Sequence, residues 1–421
     1  MTRKISRALI STGALLAVGA LTLTGCGSGF SDNGGGSTTG AGDLTSSDKP
    51  LTVLIGSSGD AETTAVTDAV AAWSKKSGVK ATVTAASDLN QQLSQGFAAG
   101  TPSDVFYQST DALAGYASNG SLLAYGDQLK NKDDFYETLK KSFTYDGKFY
   151  CAPKDFSTLQ LIINTDMWQK AGLTDADVPT DWEQLTSVAK KLTADGHVGL
   201  SMSGEYARVG AFMVADGGGL MNADSTKATA DAPGNVEALD YLKGMLNSGV
   251  MKFAADVGAG WGGEAFGTQK AAMVVEGNWI TGAMTNDYPG VKYKVVELPA
   301  APSGNKGTLQ FTNCWGIAAD SPNQKAALDL VEYLTATDQQ LAFSKAFGPM
   351  PSIQSAADQW KQDNPDLVPF LEGAAYAQGM PTAKGAADVV TDFNGQIGSL
   401  ATADPKTILD STQKNLEALL K

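Results

Sequence analysis

Leu51-Thr-Val-Leu-Ile-Gly-Ser-Ser-Gly-Asp60 opens the part of the chain whose reading decides the fold. Four apolar residues and a threonine run into a Gly/Ser turn, so residues 51–55 read as a buried strand and 56–59 as the loop beyond it. Asp60 is placed to cap a following helix, whose apolar face includes Val66, Val70 and Trp73. Residues 79–85 then read as a second strand, 89–99 as a second helix and 104–108 as a third strand. Strand–helix–strand repetition with short links predicts an α/β fold with a mostly parallel sheet covered by helices. Ligands of such sheets sit beyond the carboxyl ends of the strands, here at Ser57-Ser58 and at residues 108–111.

Downstream the alternation continues. Asp146-Gly147 is a two-residue hairpin signal, leading through Lys148-Phe149-Tyr150-Cys151 to Pro153. Residues 159–163, 271–275 and 293–297 read as strands, and 181–193 and 236–246 as helices. A helical tail runs from Pro322 to the end, with breaks at Gly348-Pro349 and Met380-Pro381. There is no internal repeat and no second low-complexity linker, which suits two lobes joined by several crossings.

Upstream, Arg3, Lys4 and Arg7 precede an apolar run from Ala8 to Leu23 that closes on small residues. This is the pattern of a secretory signal over residues 1–25. The run is short for a membrane-spanning helix and carries Gly13 and Gly19. Leu23-Thr24-Gly25-Cys26 resembles the bacterial lipobox, which implies that Cys26 becomes the lipid-modified first residue of the exported protein. Residues 27–49 are dominated by Gly, Ser, Thr, Asn and Asp and cannot bury enough apolar surface to offset their ordering. Residues 26–50 are therefore expected to form a lipidated Cys and a flexible tether.

The 421 residues carry 31 Lys and Arg against 45 Asp and Glu, a formal net charge of −14. That balance argues against nucleic-acid binding, which needs a basic stripe to meet phosphates. Loss of residues 1–25 takes three positive charges and no negative ones, leaving 28 against 45, or −17. A body so acidic has little attraction for anionic lipid, so attachment would rest on the lipid anchor. One His and three Cys leave no zinc cluster, and no metal or cofactor is expected. Imidazole acid–base chemistry would rest on His197 alone.

Several stretches together resemble the extracellular solute-binding lipoproteins of bacterial ABC importers, in the oligosaccharide-binding, maltodextrin-type class. They are Phe97-Ala-Ala-Gly100 through Asp104-Val105-Phe106; Gly147-Lys-Phe-Tyr-Cys-Ala-Pro153 with Leu161-Ile-Ile-Asn164; and Ala171-Gly172-Leu173 with Pro179-Thr-Asp-Trp182-Glu-Gln-Leu185. Ala215-Asp-Gly-Gly218, Ala271-Ala-Met273 with Gly277-Asn-Trp279, Leu298-Pro-Ala-Ala-Pro-Ser-Gly304, and Trp315-Gly-Ile317 with Ser321-Pro-Asn323 continue it. The pattern departs from the family at Ser103, which separates a Pro-Asp pair, and at Ile163, where a Tyr is usual. The resemblance implies a periplasmic-binding-protein-like fold, with two α/β lobes, a central ligand cleft and a hinge crossed three times, near 153–157, 313–316 and 370–375. The implied lobes are 51–153 with 317–372, and 154–316 with 373–421.

Sugars are bound by aromatic faces and by carboxylates, amides and cations that take the hydroxyls. Trp279 matches the position where a maltodextrin-type binder stacks its sugar. Trp261, flanked by Gly258, Gly260, Gly262 and Gly263, either binds from a glycine-rich loop or plugs a neighbour. Trp315 lies in the second implied crossing beside Asn313, where a hinge strand can equally bury it. Ser58, Gln108 and Asp111 follow strand ends, and Asp111 can instead serve a helix terminus, as Asp60 can. Lys154 and Asp155 enter the implied hinge and are either ligand contacts or a local surface pair. Glu205 and Tyr206 match the acidic–aromatic pair that meets sugar in the maltodextrin-type binder. Trp73, Trp168 and Trp182 have core explanations, and Trp360 is ambiguous. Cys151 and Cys314 fall beside adjacent implied crossings, so they are either a disulfide or two buried thiols.

Catalytic patterns are weak. Gly56-Ser57-Ser58-Gly59 is one residue short of a nucleophile elbow, Ser187/Lys190 and Ser411/Lys414 lack companion motifs, and no Walker A sequence occurs. The reading is a non-enzymatic, monomeric, lipid-anchored binding component on the outer face of the cell membrane. It hands an oligosaccharide to the transmembrane subunits of an ABC permease. Paired carboxylates leave one rival, an exported glycoside hydrolase.

Overall fold

The computed structural model describes residues 44–421 except residue 195. The expected signal, Cys26 and most of the tether lie outside the described residues. Three short strands come first, β1 (Leu51–Ile55), β2 (Ala81–Ala85) and β3 (Val105–Ser109). The helix Asp60–Ser77 buries Val66, Val70 and Trp73, as its apolar spacing requires, and Trp73 donates its indole N–H to Asp329 at 2.9 Å. Gly59, not Asp60, is the N-cap, and Asp60 stands in the first turn, where a negative charge suits the helix terminus.

Next come the hairpin strands β4 (Thr144–Tyr145) and β5 (Lys148–Phe149), turned by Asp146 and Gly147 at φ 48° and 70°. Two successive positive φ values match the right-handed strand twist. Then follow the thirteen-residue β6 (Ala152–Asn164), β7 (Val198–Met202), β8 (Met251–Phe253), β9 (Ala271–Gly277), β10 (Tyr293–Val296), β11 (Thr308–Ile317) and β12 (Ala377–Gln378). The helical tail beyond Gln324 is interrupted by β12.

All but the hairpin strands share one sheet in the order β2-β1-β3-β11-β6-β9-β7-β8, with β10 on β6 and β12 on β11. The expected parallel pairing holds on the two wings, β2-β1-β3 and β9-β7-β8. In the middle it does not, because β3-β11, β11-β6 and β6-β9 are antiparallel. There β11 runs opposite to both β3 and β6, and β6 opposite to β9. β6 pairs β11 over 152–158 and β9 over 159–163, so one strand serves both wings.

Three cores follow from this. One surrounds β1–β3 and includes Trp73, Phe106 and Trp315. The side chains of β6 alternate between the other two: Leu159, Leu161 and Ile163 face one, and Phe156 and Ile162 the other. The latter also takes Trp360 and Phe370 from the tail, so Trp360 is a core residue.

The last residues of the expected tether are held against the body. Thr45 donates its hydroxyl to the Ser321 carbonyl at 2.7 Å and its N–H to Gln324 Oε1 at 3.1 Å. The Asn323 side chain meets Ser47 N–H at 3.4 Å and the Lys49 carbonyl at 3.3 Å. Polar side chains at 321–324 supply the partners that an apolar-poor segment needs to order its backbone.

Candidate ligand-binding site

Burial locates the site. β11 is buried along its length except at Phe311, Thr312 and Asn313, and β6 is buried except at Asp155. Asn313 pairs Asp155 on one side and Ser109, the half-exposed last residue of β3, on the other. Adjacent breaks in three buried strands make a floor, at the carboxyl end of β3, as the α/β rule expects.

One side of the floor is built on the helix start after β1. Glu62, almost fully buried, accepts from Ser58 N–H and hydroxyl at 2.7 Å each and from the Tyr107 hydroxyl at 2.9 Å. Lys154 reaches Glu62 at 3.2 Å, bonds the Asp155 carboxylate, and lies 4.5 Å from the Tyr107 ring centre. Burial would raise the Glu62 pKa, but Lys154 and the bonds from Ser58 and Tyr107 hold it below its ordinary value. Burial would lower Lys154, but Asp155 and Glu62 raise it. At Asp155 burial outweighs Lys154 and raises the carboxyl.

The other side is built at the end of β9. Glu276 is fully buried and accepts from Arg208 Nη2 at 2.7 Å and from the Trp279 indole N–H at 3.0 Å. Its other oxygen, Oε1, has no hydrogen-bond partner. Burial raises its pKa against the pull of Arg208. Arg208 also binds Glu205 at 2.9 Å and stands 5.3 Å from the Trp279 ring centre. The ring sits on Gly277, where a Cβ would stand 2.3 Å from it, and meets Phe311 edge-on at 5.3 Å. Trp279 nevertheless remains 37% exposed. A ring fixed by its N–H, its underside and its edge, with area left open, is a pre-organised stacking platform.

The expected contacts divide. Ser58, Asp155, Glu205, Trp279 and Asn313 keep exposed surface at or beside this floor. Asp111 is exposed in the first turn of the helix Thr110–Ser118. Lys154 is nearly covered by its carboxylates. Trp261 is half-buried with its ring over Gly263, where a Cβ would come within 2.0 Å, so it packs on the start of the helix Gly262–Gly267 and against the core that holds Phe156 and Ile162. Gln108, Tyr206 and Trp315, expected as ligand contacts, instead lie inside the protein. Gln108 turns its amide to the Ser109 carbonyl at 3.0 Å, Tyr206 takes Leu220 N–H at 3.3 Å, and Trp315 packs on Tyr107 at 4.8 Å. Glu62, Tyr107, Glu276 and Phe311 were not singled out from sequence. Phe311 had a signal, since it alternates with Asn313 on one strand face.

Cys151 and Cys314 are joined by a disulfide with Cα atoms 5.7 Å apart, tying the start of β6 to β11. Beside it the Tyr125 hydroxyl donates to the Trp315 carbonyl and accepts from Ala152 N–H at 2.9 Å.

A family model described as bacterial extracellular solute-binding protein matches residues 68–369. The chain belongs to that family. This solute-binding protein is 26% identical over 348 residues to a Brucella abortus chain named as a binding protein, covering 79% of one and 83% of the other. It is 24% identical over 310 residues to the diacetylchitobiose binding protein of Streptomyces coelicolor, covering 71% and 69%. The cyclic alpha-maltosyl-1,6-maltose binding protein of Arthrobacter globiformis superimposes with a TM-score of 0.78 at 22% identity, over 89% of this chain and 100% of that one. The fold is thus that of the periplasmic-binding-protein class. Membership places the chain among solute binders rather than hydrolases. Among the described residues no helix is long and apolar enough to cross a membrane, and no cluster of three or more His, Cys, Asp and Glu is set to hold a metal.

Proposed function

We propose that this solute-binding protein captures an oligosaccharide outside the cell and delivers it to an ABC permease. The observation that carries the reading is Trp279, exposed yet fixed by Glu276, Gly277 and Phe311, beside the polar row Ser109, Asn313 and Asp155. An aromatic platform next to amide and carboxylate is the composition that pyranose rings require. Two relatives named for saccharides support the same substrate class. Closure is a hinge movement of the lobes 51–153 with 317–372 and 154–316 with 373–421 about the crossings, with ligand contacts favouring the closed state.

Signal removal before Cys26, its lipidation, and a monomeric body held at the membrane's outer face complete the proposal. Cys26→Ala should release the protein into the medium, and retention at the membrane would refute the anchor. Purified residues 27–421 screened by calorimetry against an oligosaccharide panel should give saturable binding without release of reducing sugar. Turnover, or no binding to any saccharide, would overturn the reading.

A further inference from the structure

An open groove of about 850 Å³ lies on the surface, and none of its lining residues belongs to the floor described above. The helix Pro233–Asn247 supplies half of that lining. Asn235, Ala238, Leu239, Leu242 and Met245 are the buried side of this helix. Pro233, Val236, Glu237, Asp240 and Tyr241, at i, i+3, i+4, i+7 and i+8, line the groove instead. Val236 and Tyr241 are half-buried, and Pro233 is exposed, as is Pro302, which also lines it. The Tyr241 ring is held firmly. It stacks on Trp182 at 4.6 Å with planes 20° apart, and its hydroxyl donates to the Trp182 carbonyl at 2.9 Å.

The free charge at the groove has one sign. Glu183, Asp231, Glu237 and Asp240 are exposed lining residues, and among the described residues none of them makes an ion pair. Lys406, which also lines it, is already held by Asp410 at 2.6 Å. Helix starts account for two of the acids: Glu183 is in the first turn of Trp182–Leu192, and Asp231 stands just ahead of Pro233. They do not account for Glu237 and Asp240, which lie beyond the first turn and repel each other at i, i+3.

Exposed charges alone bind weakly, and an apolar groove alone does not choose its partner. Apolar lining and unpaired acid on one helix face ask for both in the occupant. We infer that the groove docks a protein partner through a peptide segment that sets an apolar side chain between Lys or Arg residues. The apolar anchor is covered by Pro233, Val236, Tyr241 and Pro302, and its flanking cations meet Glu237 and Asp240, relieving their repulsion.

Fluorescence polarisation on residues 27–421 tests this with labelled peptides. The probes are Lys-Arg-Leu-Phe-Arg-Lys, the same peptide with Gln or with Glu at every cation, and Lys-Arg-Ser-Ser-Arg-Lys. The first should bind at low salt, with the Gln and Ser forms weaker by about tenfold and the Glu form weakest. The advantage over the Gln form should shrink at high salt. Glu237→Lys with Asp240→Lys, checked for folding by thermal melting, should weaken the first peptide by about tenfold. The same charge change at Asp388 and Asp392, exposed on the helix Ala386–Ile397, should leave it bound. No binding of the first peptide, a Gln, Glu or Ser form that binds as well, or equal loss in the two double variants overturns the inference. So does sedimentation showing a wild-type dimer that Glu237→Lys with Asp240→Lys splits, since the occupant is then a second copy.

Discussion

Trp279→Ala separates a sugar platform from a wall residue. The substitution removes a ring that is 37% exposed, together with its hydrogen bond to Glu276 and its edge contact with Phe311. If a sugar stacks on the open face, truncating such an anchor costs about 2–4 kcal/mol of binding, a loss of roughly 30- to 1,000-fold in affinity. Folding should suffer less than for a fully buried Trp, whose truncation costs about 3–5 kcal/mol, because part of the ring already faces water. Trp279→Phe supplies the internal comparison. It keeps an aromatic face but loses the N–H to Glu276, so its loss should be nearer 1 kcal/mol. Titration calorimetry with a sugar from the panel, run beside scanning calorimetry of the free protein, reads both quantities. Unchanged affinity in Trp279→Ala with a lowered melting temperature would refute the platform and leave a ring that only lines the wall.

Three further outcomes follow from the geometry. Gly262→Ala drives a Cβ to 2.5 Å from Glu276 Oε1. It should cost about 1–3 kcal/mol in unfolding free energy and weaken sugar binding by displacing the carboxylate under Trp279; denaturant melts and binding as tight as wild type would contradict this. Cys151→Ser with Cys314→Ser opens a loop closed over 163 residues, worth up to about 5 kcal/mol in the chain-entropy model. Thermal unfolding should drop accordingly, and equal melting temperatures would show that the bond adds nothing. Glu276→Gln should alter the pH profile of stability. Its folded pKa lies above the ordinary 4.5, so the folded state holds more protons than the unfolded one from near pH 4.5 up to the folded value. Stability from this group therefore falls as pH rises through that window. The variant lacks that slope, so its melting temperature should gain on wild type as pH rises from 4.5 to 7; parallel profiles would refute the assignment.

The wing β2-β1-β3 was legible in the sequence because local signals settle it, whereas β7 and β8 of the other wing carried no such signal. An apolar strand, a Gly/Ser turn and the Val66, Val70, Trp73 stripe need no distant partner to be read. The centre was not legible, since the antiparallel pairing of β3, β11 and β6 joins segments far apart in the chain. The site followed the same division. Trp279 was pointed to by the resemblance that Gly277-Asn-Trp279 carries, whereas Glu62 looked like an ordinary acid in a helix's first turn. Only the return of β6 brings Lys154 to it. Gln108 and Trp315 lie inside the protein for a related reason. β3 and β11 are covered on both faces at these positions, so neither side chain reaches a surface.

The lacing of residues 45–49 onto 321–324 acts as a strain relief. Tension applied to the chain ahead of Thr45 is borne first by bonds to the turn that precedes the helix Gln324–Leu334, before any of it reaches β1. From that turn it passes into the helix Gln324–Leu334 and, through residues 318–320, to the end of β11. Pulling on the chain ahead of Thr45 therefore has to undo these bonds before it can loosen β1.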